Sequence, residues 1–305
     1  VITDSSLIVI NNPQLRKSLF SLIFKKQTSF RYSILFVLYR LYWVINFLTF
    51  SNQKHMETSA KALRELQVIS LSCHKKLIQL TASEKNIVAP GWLKLFKTKE
   101  SFNKYSIELN VLNNNKVDYS ILNSHEINKS FPDLKEDFFK AVLFTNSLRV
   151  KSPLKLSKSY FNYFIQNKGK FINNPCTELK FNDGQWTVYS NDNIYNFEDV
   201  IISTGPWSKK LLSNLGYNIP LAWERGYHHQ YSTKTKLSIN PAIHDVEGGF
   251  VYSSNGNEVR ITSGVELNFL NAKENEKQID ESIKKVHKII PLDKKITDKV
   301  WLGSR

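Results

Sequence analysis

The stretch of this chain best suited to chemistry is Val200-Ile201-Ile202-Ser203-Thr204-Gly205-Pro206-Trp207-Ser208. An apolar run suited to a buried strand passes into a glycine and then into a helix start. That order places backbone N–H groups at the carboxyl end of a strand. Glycine there lets a ligand approach closely, and the helix N-terminus favours phosphate or an electron-rich ring. Alone the signal is weak, because many α/β proteins use a strand–glycine–helix turn only to fold. A second group follows at Arg225-Gly226-Tyr227-His228. Strand alternation sends Arg225 and Tyr227 to one face and His228 to the other. Phe250 and Tyr252 share a face of a later strand and suit either a core or a pocket wall. The histidines show neither HExxH nor any other ligand spacing, so no metal site is expected. No Ser-His-Asp order suggests a triad. Cys73 and Cys176 are the two cysteines, which excludes a disulfide framework and a CxxC metal knuckle.

These residues need elements to hold them. Ser33 to Phe50 is the most apolar stretch, with Arg40 and Asn46 inside it. It reads as a helix packed in a groove of its own protein. A helix lying on a membrane surface is the second reading and a true span the third, since a central Arg costs roughly 2.5–3.5 kcal/mol on insertion scales. Glu57 to Leu80 is expected to be an amphipathic helix with Leu63, Leu66, Ile69, Cys73, Leu77 and Leu80 on its apolar stripe. Cys73 then reads as an inert core thiol. Gly91 to Phe96 reads as a strand, Ser124 to Ile127 as the start of a short helix, and Pro153 to Asn167 as a helix stopped at Gly169. Three strands are expected at Lys170–Phe181, Gln185–Ser190 and Tyr195–Ser203, the first two joined by an Asp183-Gly184 turn. Further strands are expected at Arg225–Tyr231, Gly249–Ser253 and Val259–Leu267, and a helix from Gln278 to Ile290 closed by Pro291.

Composition bounds the rest. The chain has 305 residues, 41% hydrophobic and 12% aromatic, which suits about two domains and excludes a disordered polar tail. The net charge is +15. Of the 42 basic residues 34 are Lys and 8 are Arg, spread along the chain with nothing denser than pairs such as Lys25-Lys26 and Lys209-Lys210. Arg supplies the bidentate contacts of specific nucleic-acid binders, and their basic residues cluster. Nucleic acid is therefore not expected as a partner. The apolar runs of residues 1–30, including Leu19 to Phe24, are broken by Asp4 and Pro13 and do not read as a signal peptide.

The motifs in order carry a resemblance. The run ending in Thr204-Gly205-Pro206-Trp207-Ser208 resembles the "aaGaWS" strand of the D-amino-acid oxidase-like (DAO) FAD-dependent oxidoreductase family. Leu211 to Tyr231 resembles its passage into an "RGYh" strand, and Val259 to Leu267 its "lRvaGtvE" strand. Gln278 to Pro291 resembles its "rid.l...a..liP" helix. Trp301-Leu302-Gly303-Ser304-Arg305 resembles the opening of its "WaGlRP" motif, and Arg149 through Gly169 its "vrdP..l" segment. The resemblance covers nearly the whole chain, most firmly residues 140–305, and the Glu224-Arg225-Gly226-Tyr227-His228 form leans toward the D-amino-acid dehydrogenase branch.

It implies an α/β (α+β) fold, in which a partial FAD/NAD(P)-binding-type domain accompanies an antiparallel-sheet substrate domain. On this reading residues 1–147 hold a helical segment and the first part of the substrate domain, and 148–218 the middle of the FAD-binding domain. Residues 219–300 complete the substrate domain, and 301–305 open a C-terminal FAD-binding segment. FAD is the implied cofactor, contacted by Thr204, Gly205 and Pro206, with the Cys176 backbone near its adenine. Arg305 is implied to pair with a substrate carboxylate, which the planar fork of guanidinium suits. Arg225, Tyr227, His228, Phe250 and Tyr252 are implied to stand at or beside the substrate pocket. The implied reaction oxidises the C–N bond of an amino acid or amine by hydride transfer to flavin, with oxygen or a quinone as final acceptor. Glycine, sarcosine or a 2-hydroxy acid is the alternative substrate, and a basic membrane- or nucleic-acid-associating protein is the alternative from another class. A cytoplasmic location, with peripheral contact at the inner membrane as a variant, goes with it. Two departures stand out. The family's glycine-rich pyrophosphate turn is not found, Gly91 being the first glycine, and the sequence ends at Arg305. The expectation is an interior fragment, inactive alone.

Overall fold

A computed structural model describes residues 1–15, 29–191 and 193–305. The Leu19–Phe24 run and the Lys25-Lys26 pair lie outside them. The main sheet runs in the order β2–β15–β11–β14–β13–β12–β4–β6–β5. Its strands are β2 (Phe30–Tyr32), β4 (Trp92–Phe96), β5 (Tyr119–Asn123), β6 (Lys140–Phe144), β11 (Glu224–Thr233), β12 (Ala242–Asp245), β13 (Phe250–Asn255), β14 (Glu258–Thr262) and β15 (Val265–Leu267). β16 (Leu292–Lys295) and β17 (Trp301–Ser304) also pair with β11. A small sheet joins β1 (Ile2–Thr3), β7 (Ser147–Val150) and β3 (Ile87–Val88), and a separate meander joins β8 (Glu178–Asn182), β9 (Gln185–Ser190) and β10 (Asn193–Phe197). The helices are α1 (Ile34–Tyr39), α2 (Leu41–Thr49), α3 (Gln53–Leu80), α4 (Lys99–Lys104), α5 (Ser106–Asn114), α6 (Ser124–Ser130), α7 (Pro153–Gln166), α8 (Ser208–Asn214) and α9 (Lys277–Ile289). The class is the mixed α/β one expected from the sequence.

Burial alternates strictly along β11. Arg225, Tyr227, His229, Tyr231 and Thr233 point into the core beneath α9, while Glu224, Gly226, His228, Gln230 and Ser232 point to the opposite face. α9 fits this role because Ile279, Ser282, Val286 and Ile289 recur every three or four residues and are buried. Leu93, Ile243, Phe250, Tyr252, Val259 and Ile261 complete the same core. A second core, with Leu7, Met56, Phe96, Tyr105 and Leu112, joins α3 and α5 to the other end of the sheet. Gly91 packs β4 against β7: a Cβ there would stand 2.1 Å from the Arg149 backbone nitrogen, which only glycine avoids.

Several sequence expectations change. Ser33 to Phe50 is two helices meeting at Arg40, not one. Only their inner side, with buried Phe36, is packed, so they do not lie in a groove of the protein. In α3 the buried residues are Met56, Ala60, Leu71 and Ile78, whereas Leu66, Ile69, Leu80 and Cys73 of the expected stripe are exposed. Cys73 is therefore a surface thiol. Two rival apolar stripes share this helix, and the tertiary partners chose the other one. Val200–Ser203 forms no strand, since the third strand of the meander stops at Phe197 and no neighbour pairs with the run. Trp301–Ser304 pairs with β11 in the main sheet.

Candidate functional site

The face of the main sheet turned away from α9 holds a row of polar and charged side chains. Register aligns one row of side chains across six strands. Lys94 pairs with His244, His244 with Val251, Val251 with Thr262, Thr262 with His228, and His228 with Trp301. Arg260 stands in the adjacent row between Ser253 and Gln230. A cavity of about 650 Å³ opens on this face, walled by Trp92, Lys94, His244, Val265 and Arg305, by Tyr105 and by Glu108 of α5.

The electrostatics are uneven. Lys94 donates to Glu108 at 3.1 Å and lies 4.6 Å from the centre of the Tyr105 ring. Burial works against its charge, but Glu108 and Tyr105 hold its ammonium well above the usual lysine range. His244 stacks on Trp92 at 6.0 Å, and burial, with Lys94 beside it, lowers the imidazole to about 3. His228 stacks on Trp301 at 4.6 Å, and burial, helped by Arg260, lowers it to about 4. Both imidazoles are thus neutral at pH 7 among fixed cations. Arg260 has a buried Nε with no hydrogen-bond partner. Arg305 is tied to Glu224 by reciprocal backbone hydrogen bonds of 2.7 Å and by an Nε–Oε2 contact of 2.9 Å. The face can hold an anion against Lys94, Arg260 or Arg305 without adding charge from either histidine.

The expected site residues divide. His228 and Arg305 belong to this face. Arg225, Tyr227, Phe250 and Tyr252 do not: all four are about 1% exposed and point into the core. Arg225 lies with its Nη2 3.3 Å from Tyr227 Oη and its Nε 3.7 Å from Glu266. Tyr227 donates to Glu266 at 2.8 Å and accepts from the Asn275 amide at 3.1 Å. Burial, reinforced by Glu266, pushes this phenol up to about 12. The Tyr252 hydroxyl is buried without a hydrogen-bond partner, and burial raises it well above the usual tyrosine range. All four side chains are thus packed on the α9 side of the sheet, away from the face that carries His228 and Arg305. Lys94, His244 and Arg260 were missed. A single Lys among 34 carries no signal, but the "VRIT" strand holding Arg260 was in plain view.

Gly205–Trp207 form a 3₁₀ turn, with Thr204 at its N-cap, leading into α8. Thr204 and Ser208 share a 3.0 Å hydroxyl contact, and the Pro206 carbonyl accepts from Trp223 Nε1 at 3.4 Å. Gly205 has φ +57°, and no atom lies within 4 Å of where a Cβ would stand. A planar ring could therefore approach this backbone, and the turn fits the flavin end of FAD. The Cys176 thiol is directed at the Glu178 carbonyl, 3.7 Å away, and burial raises its pKa. A glycine-rich pyrophosphate turn is not among these residues.

A mixed sheet with a histidine-bearing face, together with a glycine turn that leads into α8, makes this an α/β protein. Its sequence matches the family profile described as FAD dependent oxidoreductase, DAO, over residues 43–305, and the chain belongs to that family. It is 23% identical over 188 residues to a D-amino-acid oxidase of Bradyrhizobium diazoefficiens, a match covering 61% of this chain and 44% of that protein. The chain thus spans less than half the length of that curated relative. Glycine oxidase from Geobacillus kaustophilus shares the fold with a TM-score of 0.68 and 14% identity, over 80% of this chain and 67% of the other. L-proline dehydrogenase from P. horikoshii does so with a TM-score of 0.66 and 15% identity, over 78% and 66%. The family is one of FAD-binding flavoproteins, and among the described residues no helix is long and apolar enough to cross a membrane.

Proposed function

We propose that this chain supplies the substrate-binding face of an FAD-dependent dehydrogenase or oxidase acting on the C–N bond of an amino acid, D-amino acids first. The observation that carries the reading is the coexistence, on one open face, of fixed cations with two neutral imidazoles. Arg305, with Lys94 in the same cavity, would hold the substrate carboxylate by charge-assisted hydrogen bonds. His228 and His244, uncharged, would leave the substrate ammonium unopposed. Thr204, Gly205 and Pro206 would hold the flavin edge, which when bound supplies the two-electron acceptor. Glu224 must release Arg305 for this to happen, since their side chains are paired. Glycine, sarcosine or a 2-hydroxy acid would use the same carboxylate contact and is the second reading. The same view divides the chain at 147/148 and 218/219, with the main sheet as substrate part. Oxygen or a quinone, encountered in the cytoplasm, would take the electrons.

The test is anaerobic flavin bleaching by the complete gene product supplied with FAD, since this chain alone is expected to be inactive. D-amino acids are expected to bleach it, and Arg305→Leu to raise the KM for them about tenfold or more, the loss of roughly 1.5–3 kcal/mol expected for a hydrogen bond to a charged group. Amines without a carboxylate should be indifferent to the substitution. Bleaching by 2-hydroxy acids alone selects the second reading, and no bleaching by any of these removes both.

A further inference from the structure

The outer side of α1 and α2 is apolar and uncovered. Ile34, Leu35, Leu38, Tyr39, Tyr42 and Ile45 are each more than half exposed, Tyr42 at 84%. The inner side is anchored: Phe36 packs edge-on against Phe269 and Trp223, and Trp43 donates to the Pro220 carbonyl at 2.9 Å. Beside the exposed side runs a groove of about 700 Å³, walled by Tyr39, Tyr42, Trp43 and Phe50 and carrying Arg40 and Lys209. Among the described residues no carboxylate lines it. The Arg40 Nε is buried without a hydrogen-bond partner, while its guanidinium lies 4.7 Å from the centre of the Trp223 ring. Among the described residues neither Arg40 nor Lys209 forms an ion pair, and burial, with Arg40 nearby, lowers the Lys209 ammonium.

The surrounding sequence has one sign. From Ser5 to Met56 there are seven basic residues and no Asp or Glu. A second copy would set Arg40 and Lys209 against their own like charges, and an acidic peptide would not cover a six-residue aliphatic and aromatic face. The two helices together reach about 24 Å at 1.5 Å per residue, short of the roughly 30 Å hydrocarbon core. We propose that α1 and α2 lie in the surface of an anionic phospholipid bilayer, the apolar side dipping beneath the headgroups and a lipid phosphate seated between Arg40 and Lys209. Tyr39, Tyr42 and Trp43 are the residue types that settle at headgroup level, and the cations add attraction to acidic lipid. This docking is independent of the amino-acid reading.

Flotation of the full chain with vesicles tests it. Vesicles of phosphatidylglycerol and phosphatidylcholine should carry the protein at least tenfold better than phosphatidylcholine alone, and added salt should weaken the binding. Leu35→Glu with Leu38→Glu should abolish flotation while circular dichroism and the melting temperature stay unchanged, both positions being exposed. Lys209→Gln should remove the preference for the acidic lipid. Equal flotation with both vesicle types, or full flotation of the double variant, overturns the proposal. So does a concentration-dependent dimer that Leu35→Glu dissolves, which would make a second copy the occupant. Loss of flotation on adding micromolar FAD or millimolar inorganic phosphate would give the groove to a free ligand instead and equally overturn it.

Discussion

Tyr227 shows how far a single residue can be read from sequence. Alternation separates it correctly from His228, yet alternation cannot say which face a distant helix will cover. α9 begins some fifty residues later and decides it. In the fold Tyr227 and Arg225 bind Glu266 and the Lys273–Asn275 loop. Tyr227→Phe should leave the Asn275 amide without its acceptor and Glu266 without its donor. We expect a loss of about 1–3 kcal/mol in urea unfolding. Arg225→Ala should cost more, roughly 3–5 kcal/mol, because it strands a buried carboxylate. Unchanged stability in Tyr227→Phe would mean the network is not holding the loop. Arg305 and His228 were legible because their motifs are local. Lys94 and His244 were not, because they meet only when β4 pairs with β12 across some 150 residues.

At the scale of elements, turn chemistry was read well and helix faces poorly. The Asp183-Gly184 hairpin forms as its sequence demands, with Gly184 at positive φ, and the β13–β14 turn is centred on Gly256-Asn257, with Gly256 at positive φ. α3 offers apolar residues on more than one side, so periodicity alone gave the wrong stripe. Val200–Ser203 has strand composition but no partner, and a strand exists only by pairing. The small sheet depends on a closer fit. Gly91 donates to the Ser147 carbonyl at 2.9 Å and packs onto the β7 backbone. Gly91→Ala puts a methyl group where backbone already stands. It should destabilise by about 2 kcal/mol or more, the range of overpacking, and lower the thermal midpoint. Gly256→Ala is the control. Its site is open, so only the backbone term for a positive φ remains, roughly 1 kcal/mol.

For the molecule as a whole, the +15 charge said least about what the fold does, because 34 dispersed lysines left the few buried cations invisible. Those few set a property of the entire chain, its response to acid. His228 and His244 are held neutral by burial beside Arg260 and Lys94, at about 4 and about 3, against roughly 6.5 in an unfolded chain. Below pH about 6.5 the unfolded state therefore binds protons that the folded state refuses, and stability falls as pH falls. The stabilisation is complete above about 6.5 and is lost progressively toward about 4 for His228 and about 3 for His244. Asp245 acts in the opposite sense. Burial raises its pKa, so the folded state takes a proton before the unfolded one and gains as pH falls. The overall acid curve mixes these, so the diagnostic measurement is the difference between variants. In urea titrations from pH about 7 to about 4.5, His228→Gln should lose less stability than the parent, with the two curves converging downward as pH falls. Parallel curves would show that His228 takes up a proton in the fold as readily as in the unfolded chain, so that burial does not hold it neutral through this pH range.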